Sequence, residues 1–167
     1  VGGAQERGRR AGTENVAGIV GLGRACELLR GELQGVSKRM EGLRDRLQEG
    51  VLAAVPGAAI NGSTAHRLSN ILNVAFDGLD GERVMFALDH EGVAVSTGSA
   101  CTAGSLDPSH VLLAMGQSHE RASSAIRFSL GRDNTGEEID RVISLLPGLM
   151  EQLRVRTDEP SAEERPV

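Results

Sequence analysis

Short apolar runs of the β type alternate with longer amphipathic segments along this chain, and this alternation is the strongest limit on its fold. Four runs are predicted as strands because they are short, largely aliphatic and bounded by turn residues. They cover residues 58–61, 70–76, 93–96 and 125–130. No internal repeat accompanies them. Strands and helices that alternate in this way predict an α/β fold of the α+β kind.

Helices are predicted between and around these strands from apolar periodicity and from capping residues. They cover residues 14–30, 33–54, 82–91, 108–115 and 136–154. Thr13 is expected to cap the first of them, and Gly31 to separate it from the second. Asp80 and Thr135 are expected to cap the third and the last. Residues 156–167 are charged and contain proline, which predicts a disordered tail.

Composition excludes several classes of function. The chain of 167 residues has a net charge of −5, three Phe, and no Trp or Tyr. Interleaved charges without basic blocks argue against nucleic-acid binding, and no apolar run is long enough to span a bilayer. The two cysteines differ in sequence context, so no disulfide is expected. A chain without disulfides is typical of the cytoplasm, and we expect a cytoplasmic location. The core is expected to consist of Leu, Val, Ile, Ala and Met.

The opening of the chain is a loop rich in glycine and arginine over residues 2–12. Because the sequence starts with Val1 inside this loop, we expect it to be a fragment whose upstream part is missing. Glycines and arginines before a helix N-terminus can form an anion site. The spacing matches neither the Walker pattern nor the dinucleotide pattern, so this signal alone is weak.

Cys101 lies in a loop of small residues, Ser-Thr-Gly-Ser-Ala-Cys at 96–101 followed by Thr-Ala-Gly-Ser. Such a loop leaves a thiol accessible, as a nucleophile requires. The alternative is a buried structural cysteine, which is the usual state of a free thiol. Cys26 stands among aliphatic residues of a predicted helix, where we expect it to pack in the interior.

Arg127 interrupts the apolar run Ala-Ile-Arg-Phe-Ser-Leu of the last predicted strand. A guanidinium there either faces solvent or binds a carboxylate or phosphate through two hydrogen bonds. The four histidines show no ligand spacing with cysteine or carboxylates, so no metal site is predicted. They stand at positions 66, 90, 110 and 119.

Several stretches together resemble the cysteine desulfurases of the NifS/IscS type, a branch of the class V aminotransferase family. The matching stretches are residues 5–16, 69–74, 96–101, 106–112 and 126–132, in the family's order and spacing. The resemblance covers residues 1 to about 154. It implies the C-terminal small domain of a fold-type I transferase that uses pyridoxal phosphate, preceded by the end of the large domain and a long connecting helix.

The resemblance also implies roles for individual residues. Family enzymes use pyridoxal phosphate to take sulfur from L-cysteine, giving L-alanine and an enzyme persulfide. Cys101 matches the persulfide carrier, with a transient iron–sulfur contact as a further implied property. Arg127 matches the arginine that binds the substrate carboxylate, and Asn70 falls in a stretch near the substrate. Thr13 matches a threonine that reaches the cofactor phosphate of the other subunit in a homodimer.

The implied domain layout assigns residues 1–30 to the end of the large domain and the start of the connecting helices. Residues 31–155 would form the small domain with the cysteine loop. The implied partners are a sulfur acceptor, either an iron–sulfur scaffold protein or a tRNA-thiolation enzyme, with no nucleic acid and no membrane. The short Ser-Ala-Cys segment resembles the family group with a long cysteine loop.

The family's Schiff-base lysine, in a Ser-His-Lys segment upstream of the glycine-rich loop, has no counterpart in this sequence. Lys38 is the only lysine and stands in a predicted amphipathic helix. We therefore expect this chain alone to be inactive. The alternatives that stay open are a truncated or split desulfurase, a stand-alone sulfur-relay or dimerisation module, and a decayed fragment.

Overall fold

The computed structural model describes residues 2–97 and 108–158, with side chains up to residue 155. Cys101 and the residues after Asp158 lie outside the described residues. The chain divides into two compact units, residues 1–36 and 37–167. Mixed helices and an antiparallel sheet confirm the predicted α+β class.

The first unit holds a 3-10 turn at Gln5–Gly8 and the start of helix α1, Val16–Ala54. The sequence predicted Thr13 as the N-cap of this helix, and this prediction was wrong. The side-chain oxygen of Asn15 accepts a hydrogen bond of 3.0 Å from the backbone N–H of Gly18, which is the geometry of an N-cap. Asn15 takes this role because it directly precedes the first helical residue.

Helix α1 continues without interruption past Gly31, so the prediction of two helices was wrong at this position. A single glycine in a helix costs only about 1 kcal/mol relative to alanine. The three residues after Gly31, Glu-Leu-Gln, are good helix formers, and no proline stands near Gly31 to force a stop. The helix ends instead at Ala54, before the Pro56-Gly57 pair.

The second unit contains a four-stranded antiparallel sheet in the order β1-β2-β4-β3. Its strands are β1 Ala58–Ile60, β2 Ile71–Phe76, β3 Ser96–Thr97 and β4 Ala125–Ser129. Strand β3 begins three residues later than predicted. The backbone N–H of Val93 bonds to Leu88 O at 2.9 Å, which ties the chain to the preceding helix before pairing with β4 can begin.

Four further helices connect and cover these strands: α2 Gly81–His90, α3 His110–Ala114, α4 His119–Ser123 and α5 Gly136–Asp158. Asp80 caps α2 as predicted, accepting from the backbone N–H of Arg83 at 3.0 Å. Thr135 and Glu138 form a reciprocal capping pair at the start of α5. Helix α5 extends to Asp158, beyond the predicted end near Arg154. Helix α4 was not predicted because its five residues are mostly polar.

One face of the sheet forms the core. Alternate residues of β2 and β4 are buried there against α1, α2 and α5. The residues on this face are Leu72, Val74 and Phe76 of β2, Ile126 and Phe128 of β4, and Leu130 directly after β4. As predicted, most of the core is aliphatic, and Phe76 and Phe128 are its two aromatic members. Among the described residues, no helix combines the length and apolar character needed to cross a membrane.

The opposite face is only partly covered. Ala125 at one end of β4 packs with Leu112 of α3 and Ala122 of α4 in a second small cluster. Farther along the same strand, Arg127 is half-buried and Ser129 is exposed. This part of the sheet, which we call the open face, therefore carries polar residues at the positions that alternate with the core.

Candidate functional site

Arg127 stands in the middle of β4 on the open face. In the sheet register it lies directly opposite Asn73 of β2 on one side and Ser96 of β3 on the other. Directly opposed residues of an antiparallel pair point to the same face, with Cβ atoms about 4.5–5.5 Å apart. Arg127 thus sits at the centre of a polar row that crosses three strands.

The guanidinium of Arg127 keeps an unused donor. Its Nε is buried and has no hydrogen-bond partner within the described part of the chain. A buried, unpaired N–H of a cation is costly and rare in folded proteins. A carboxylate or phosphate can satisfy Nε and a terminal nitrogen together through two parallel hydrogen bonds. The site is therefore chemically suited to bind a small anion.

Amide side chains extend the polar row toward the edge of the sheet. Asn61, which follows β1, donates from Nδ2 to Asn73 Oδ1 at 2.8 Å. Arg121 of α4 donates from Nε to Asn61 Oδ1 at 3.2 Å and from a terminal nitrogen to Ile60 O at 3.3 Å. The sequence prediction missed Asn73, Asn61 and Arg121, because only the strand register shows that they align with Arg127.

A cleft of about 230 Å³ opens beside this row. Its lining includes Asn61, Asn73, His66 and Arg67. Arg67 binds Gln48 and Asp45 through its terminal nitrogens, while its Nε is buried without a partner among the described residues. The cleft therefore offers amide and cationic donors next to the polar row.

Asn70 lies in the turn before β2 and is bonded to Leu130, just past the end of β4. Its Nδ2 donates to Leu130 O at 3.2 Å, and its backbone oxygen accepts from Leu130 N at 2.9 Å. The pairing of β2 with β4 places Asn73, and not Asn70, directly opposite Arg127. The observed contacts of Asn70 hold the end of β4 in place.

The other predicted site residues lie in the first unit or outside the described residues. Thr13 is exposed in the first unit, in the loop before α1. Cys101 lies outside the described residues. Cys26 is exposed on α1, so the expectation that it packs in the interior was wrong. No described residue of the first unit covers this stretch of α1, where Ile19 and Leu22 are also exposed.

Comparison with known proteins identifies the family. Residues 3–142 match the family model for class-V aminotransferases. The chain is 50% identical over 153 residues to a cysteine desulfurase of Gluconacetobacter diazotrophicus, a match that covers 92% of this chain and 38% of that protein. It is 49% identical over 153 residues to the cysteine desulfurase NifS of Azotobacter vinelandii, with the same two coverages.

Solved structures agree with this match. A NifS-like protein superposes with a TM-score of 0.78 at 39% identity, over 91% of this chain and 38% of that one. A NifS-like protein from Rickettsia africae gives a TM-score of 0.78 at 30% identity, over 90% and 39% respectively. The chain spans about 38% of the length of the relatives it matches. Sequence and fold together show that the chain belongs to the class-V aminotransferase family and corresponds to a partial segment of it.

Proposed function

We propose that this chain forms the C-terminal part of a cysteine desulfurase, which converts L-cysteine to L-alanine and leaves a persulfide on Cys101. The observation that carries the proposal is the buried, unpaired Nε of Arg127 on the open face. It is the donor that an amino-acid carboxylate would satisfy. The relatives of about 50% identity that bear the name cysteine desulfurase support the same reaction.

In this proposal Arg127 binds the carboxylate of L-cysteine and fixes its orientation, so that the sulfur points toward the incoming nucleophile. The thiolate of Cys101 attacks that sulfur. A sulfur–sulfur bond forms and the carbon–sulfur bond breaks. The electron pair of the broken bond stays on the carbon, which takes up a proton and becomes the methyl group of alanine. The two sulfurs are oxidised and the carbon is reduced.

Pyridoxal phosphate, when bound, supplies the electron sink for this bond cleavage. The chain fits only part of what the cofactor needs. Thr13, exposed in the loop before α1, offers a hydroxyl for a phosphate contact. Lys38 is the only lysine of the chain, lies on α1 and is exposed, so it does not fit a covalent attachment site. The attachment group would come from another part of a longer protein.

The remaining features of the proposal follow the relatives. Sulfur would pass from Cys101 to an acceptor protein, an iron–sulfur scaffold or a tRNA-thiolation enzyme. Thr13 would reach the cofactor phosphate of the other subunit in a cytoplasmic homodimer. Asn70 would lie near the substrate, because its side chain bonds to Leu130 at the end of the strand that carries Arg127. Residues 1–30 would belong to the large domain and residues 31–155 to the small domain.

Replacing Cys101 tests the proposal, with Cys26 as the matched control. In the full-length enzyme Cys101→Ser should abolish sulfide release from L-cysteine, because serine cannot carry a persulfide. Cys26→Ser should leave sulfide release unchanged, because Cys26 is exposed on α1 and makes no part of the polar row. Unchanged turnover in the Cys101 variant would remove this thiol from the mechanism.

A second candidate is a stand-alone sulfur-relay module that accepts a persulfide on Cys101 from another protein. The specific observation in its favour is that Lys38 does not fit cofactor attachment. The chain alone should then release no sulfide from L-cysteine with added pyridoxal phosphate, and borohydride should not trap cofactor on Lys38. Trapping on Lys38 together with sulfide release would contradict this alternative.

A further inference from the structure

The open face contains a relay of side-chain hydrogen bonds whose direction is fixed from one end. Arg121 carries only donors, so the atom of Asn61 that meets its Nε at 3.2 Å must be the amide oxygen. The amide nitrogen of Asn61 then faces Asn73 and requires an acceptor there. Asn73 supplies its Oδ1 at 2.8 Å. The orientation of both amides therefore follows from the network.

This relay leaves Asn73 with its nitrogen as the available group. Because the oxygen of the planar carboxamide points toward Asn61 on the β1 side, the nitrogen is left free to point toward β4. Arg127 stands directly opposite Asn73 on that side. No hydrogen bond from Asn73 Nδ2 to any described residue is present, and Arg127 Nε is likewise unpaired among those residues.

The resulting group of side chains is rich in donors and poor in acceptors. The row consists of Arg121, Asn61, Asn73, Arg127 and Ser96, and it contains no carboxylate. Asn61 is only 8% exposed, so water could not replace its hydrogen-bond partners if its amide turned over. Two donors of neighbouring side chains that lack an acceptor are complementary to the two oxygens of one carboxylate.

We propose that Asn73 is a second donor to the substrate carboxylate beside Arg127, held in its donor orientation by Arg121 through Asn61. This inference rests on the proposed function, since it assigns the same carboxylate to both residues. Asn73 would thus be a binding residue, while Asn61 and Arg121 would be positioning residues that act through it. The arrangement selects for a planar group with two acceptor oxygens.

An anion titration of the isotope-labelled full-length enzyme tests the inference. L-Alanine is the probe, and the NMR resonance of the Arg127 side-chain Nε–H is followed, with Arg127→Lys used for its assignment. Asn73→Asp keeps the size of the side chain and an acceptor for Asn61, but it replaces the donor beside Arg127 with an anionic oxygen. We expect affinity to fall by at least about 10-fold, because one hydrogen bond to a charged group is lost and a negative charge is added beside the carboxylate.

Arg121→Gln provides a second variant that leaves Asn73 itself intact. It frees the end of the relay, so the amides can turn, and we expect a smaller fall in affinity in the same direction. Ser129→Ala is the matched control, because Ser129 lies on β4 with the parity of Arg127 and is exposed. Its affinity should equal that of the unmodified enzyme. Thermal unfolding midpoints of all variants separate loss of binding from loss of folding.

The outcomes distinguish this inference from the proposed function. If L-alanine causes no saturable shift of Arg127 in the unmodified full-length enzyme, Arg127 is not a carboxylate site and both proposals fail. If the unmodified enzyme binds, and folded Asn73→Asp binds within twofold of it, the role of Asn73 is wrong while that of Arg127 stands. Binding by Arg121→Gln equal to that of the unmodified enzyme would disprove the relay.

Discussion

At Gly81, two physical effects predict opposite changes in folding stability when the residue is replaced with alanine. It is the first residue of α2 and is buried. Replacing it with alanine would favour the helix by up to about 1 kcal/mol, because alanine has the higher helix propensity. A Cβ at this position, however, would lie 2.5 Å from the backbone oxygen of Ser123 and 3.4 Å from that of Ala125.

The close approach decides the sign. Ordinary van der Waals contact begins near 3.4 Å, so the Cβ is short of it by 3.4 − 2.5 = 0.9 Å against a backbone atom that no rotamer change can move. Overpacking typically costs about 1–3 kcal/mol, and an overlap this large against the backbone belongs to the upper part of that range, about 2–3 kcal/mol. Net of the propensity gain, Gly81→Ala should destabilise the fold by about 1–2 kcal/mol. For a chain of this size that corresponds to a fall in Tm of about 2–8 °C.

Gly148 is the matched control for this prediction. It is an exposed residue of α5, and a Cβ there would meet nothing within 4 Å. Gly148→Ala should therefore raise stability by about 0.5–1 kcal/mol through propensity alone. Urea unfolding measures both variants, and the midpoints should move in opposite directions with unchanged slope. Equal stabilisation of the two variants would refute the reasoning from close approach.

Two further predictions concern the anion site and the start of α5. In the full-length enzyme Arg127→Ala should mainly raise the KM for L-cysteine, through loss of about 2–4 kcal/mol of charge-assisted hydrogen bonding; an unchanged KM would show that Arg127 is only structural. Hydrogen bonds from the Asn134 side chain and the Thr135 backbone N–H hold the pKa of Glu138 below its usual 4.5. The ionised Glu138 carboxylate therefore stabilises the fold above pH 4.5, and this stabilisation is lost as the pH falls through the lower pKa of the folded state. The urea midpoint of Glu138→Gln should consequently depend less on acid pH than that of the unmodified chain. An identical acid dependence of the two midpoints would exclude this role of Glu138.

Local sequence signals predicted much of the secondary structure. Asp80 and Thr135 cap their helices as expected, because an N-cap depends on one side chain and the backbone N–H groups within three residues of it. The strand over 125–130 was also predicted closely. Its aliphatic residues alternate with Arg127, and this alternation already separates the residues of two faces.

Signals that depend on distant residues were less reliable. Gly31 looked like a helix break, but helix α1 runs through it because no capping arrangement or proline reinforces the stop. Asn15, and not Thr13, caps that helix, a difference of two residues that propensity alone does not resolve. The prediction that β3 begins at residue 93 was wrong, because the backbone N–H of Val93 bonds to Leu88 O at the end of α2.

The sequence by itself determined the α+β class, the family resemblance and the choice of Arg127 as an anion-binding candidate. Only the tertiary structure decided which amides accompany it. Asn70 and Asn73 are equally polar and only three residues apart, but the pairing of β2 with β4 puts Asn73 opposite Arg127 and Asn70 beside Leu130. The physical reason is that strand register is a non-local property, and an odd shift along a strand moves a side chain to the other face of the sheet.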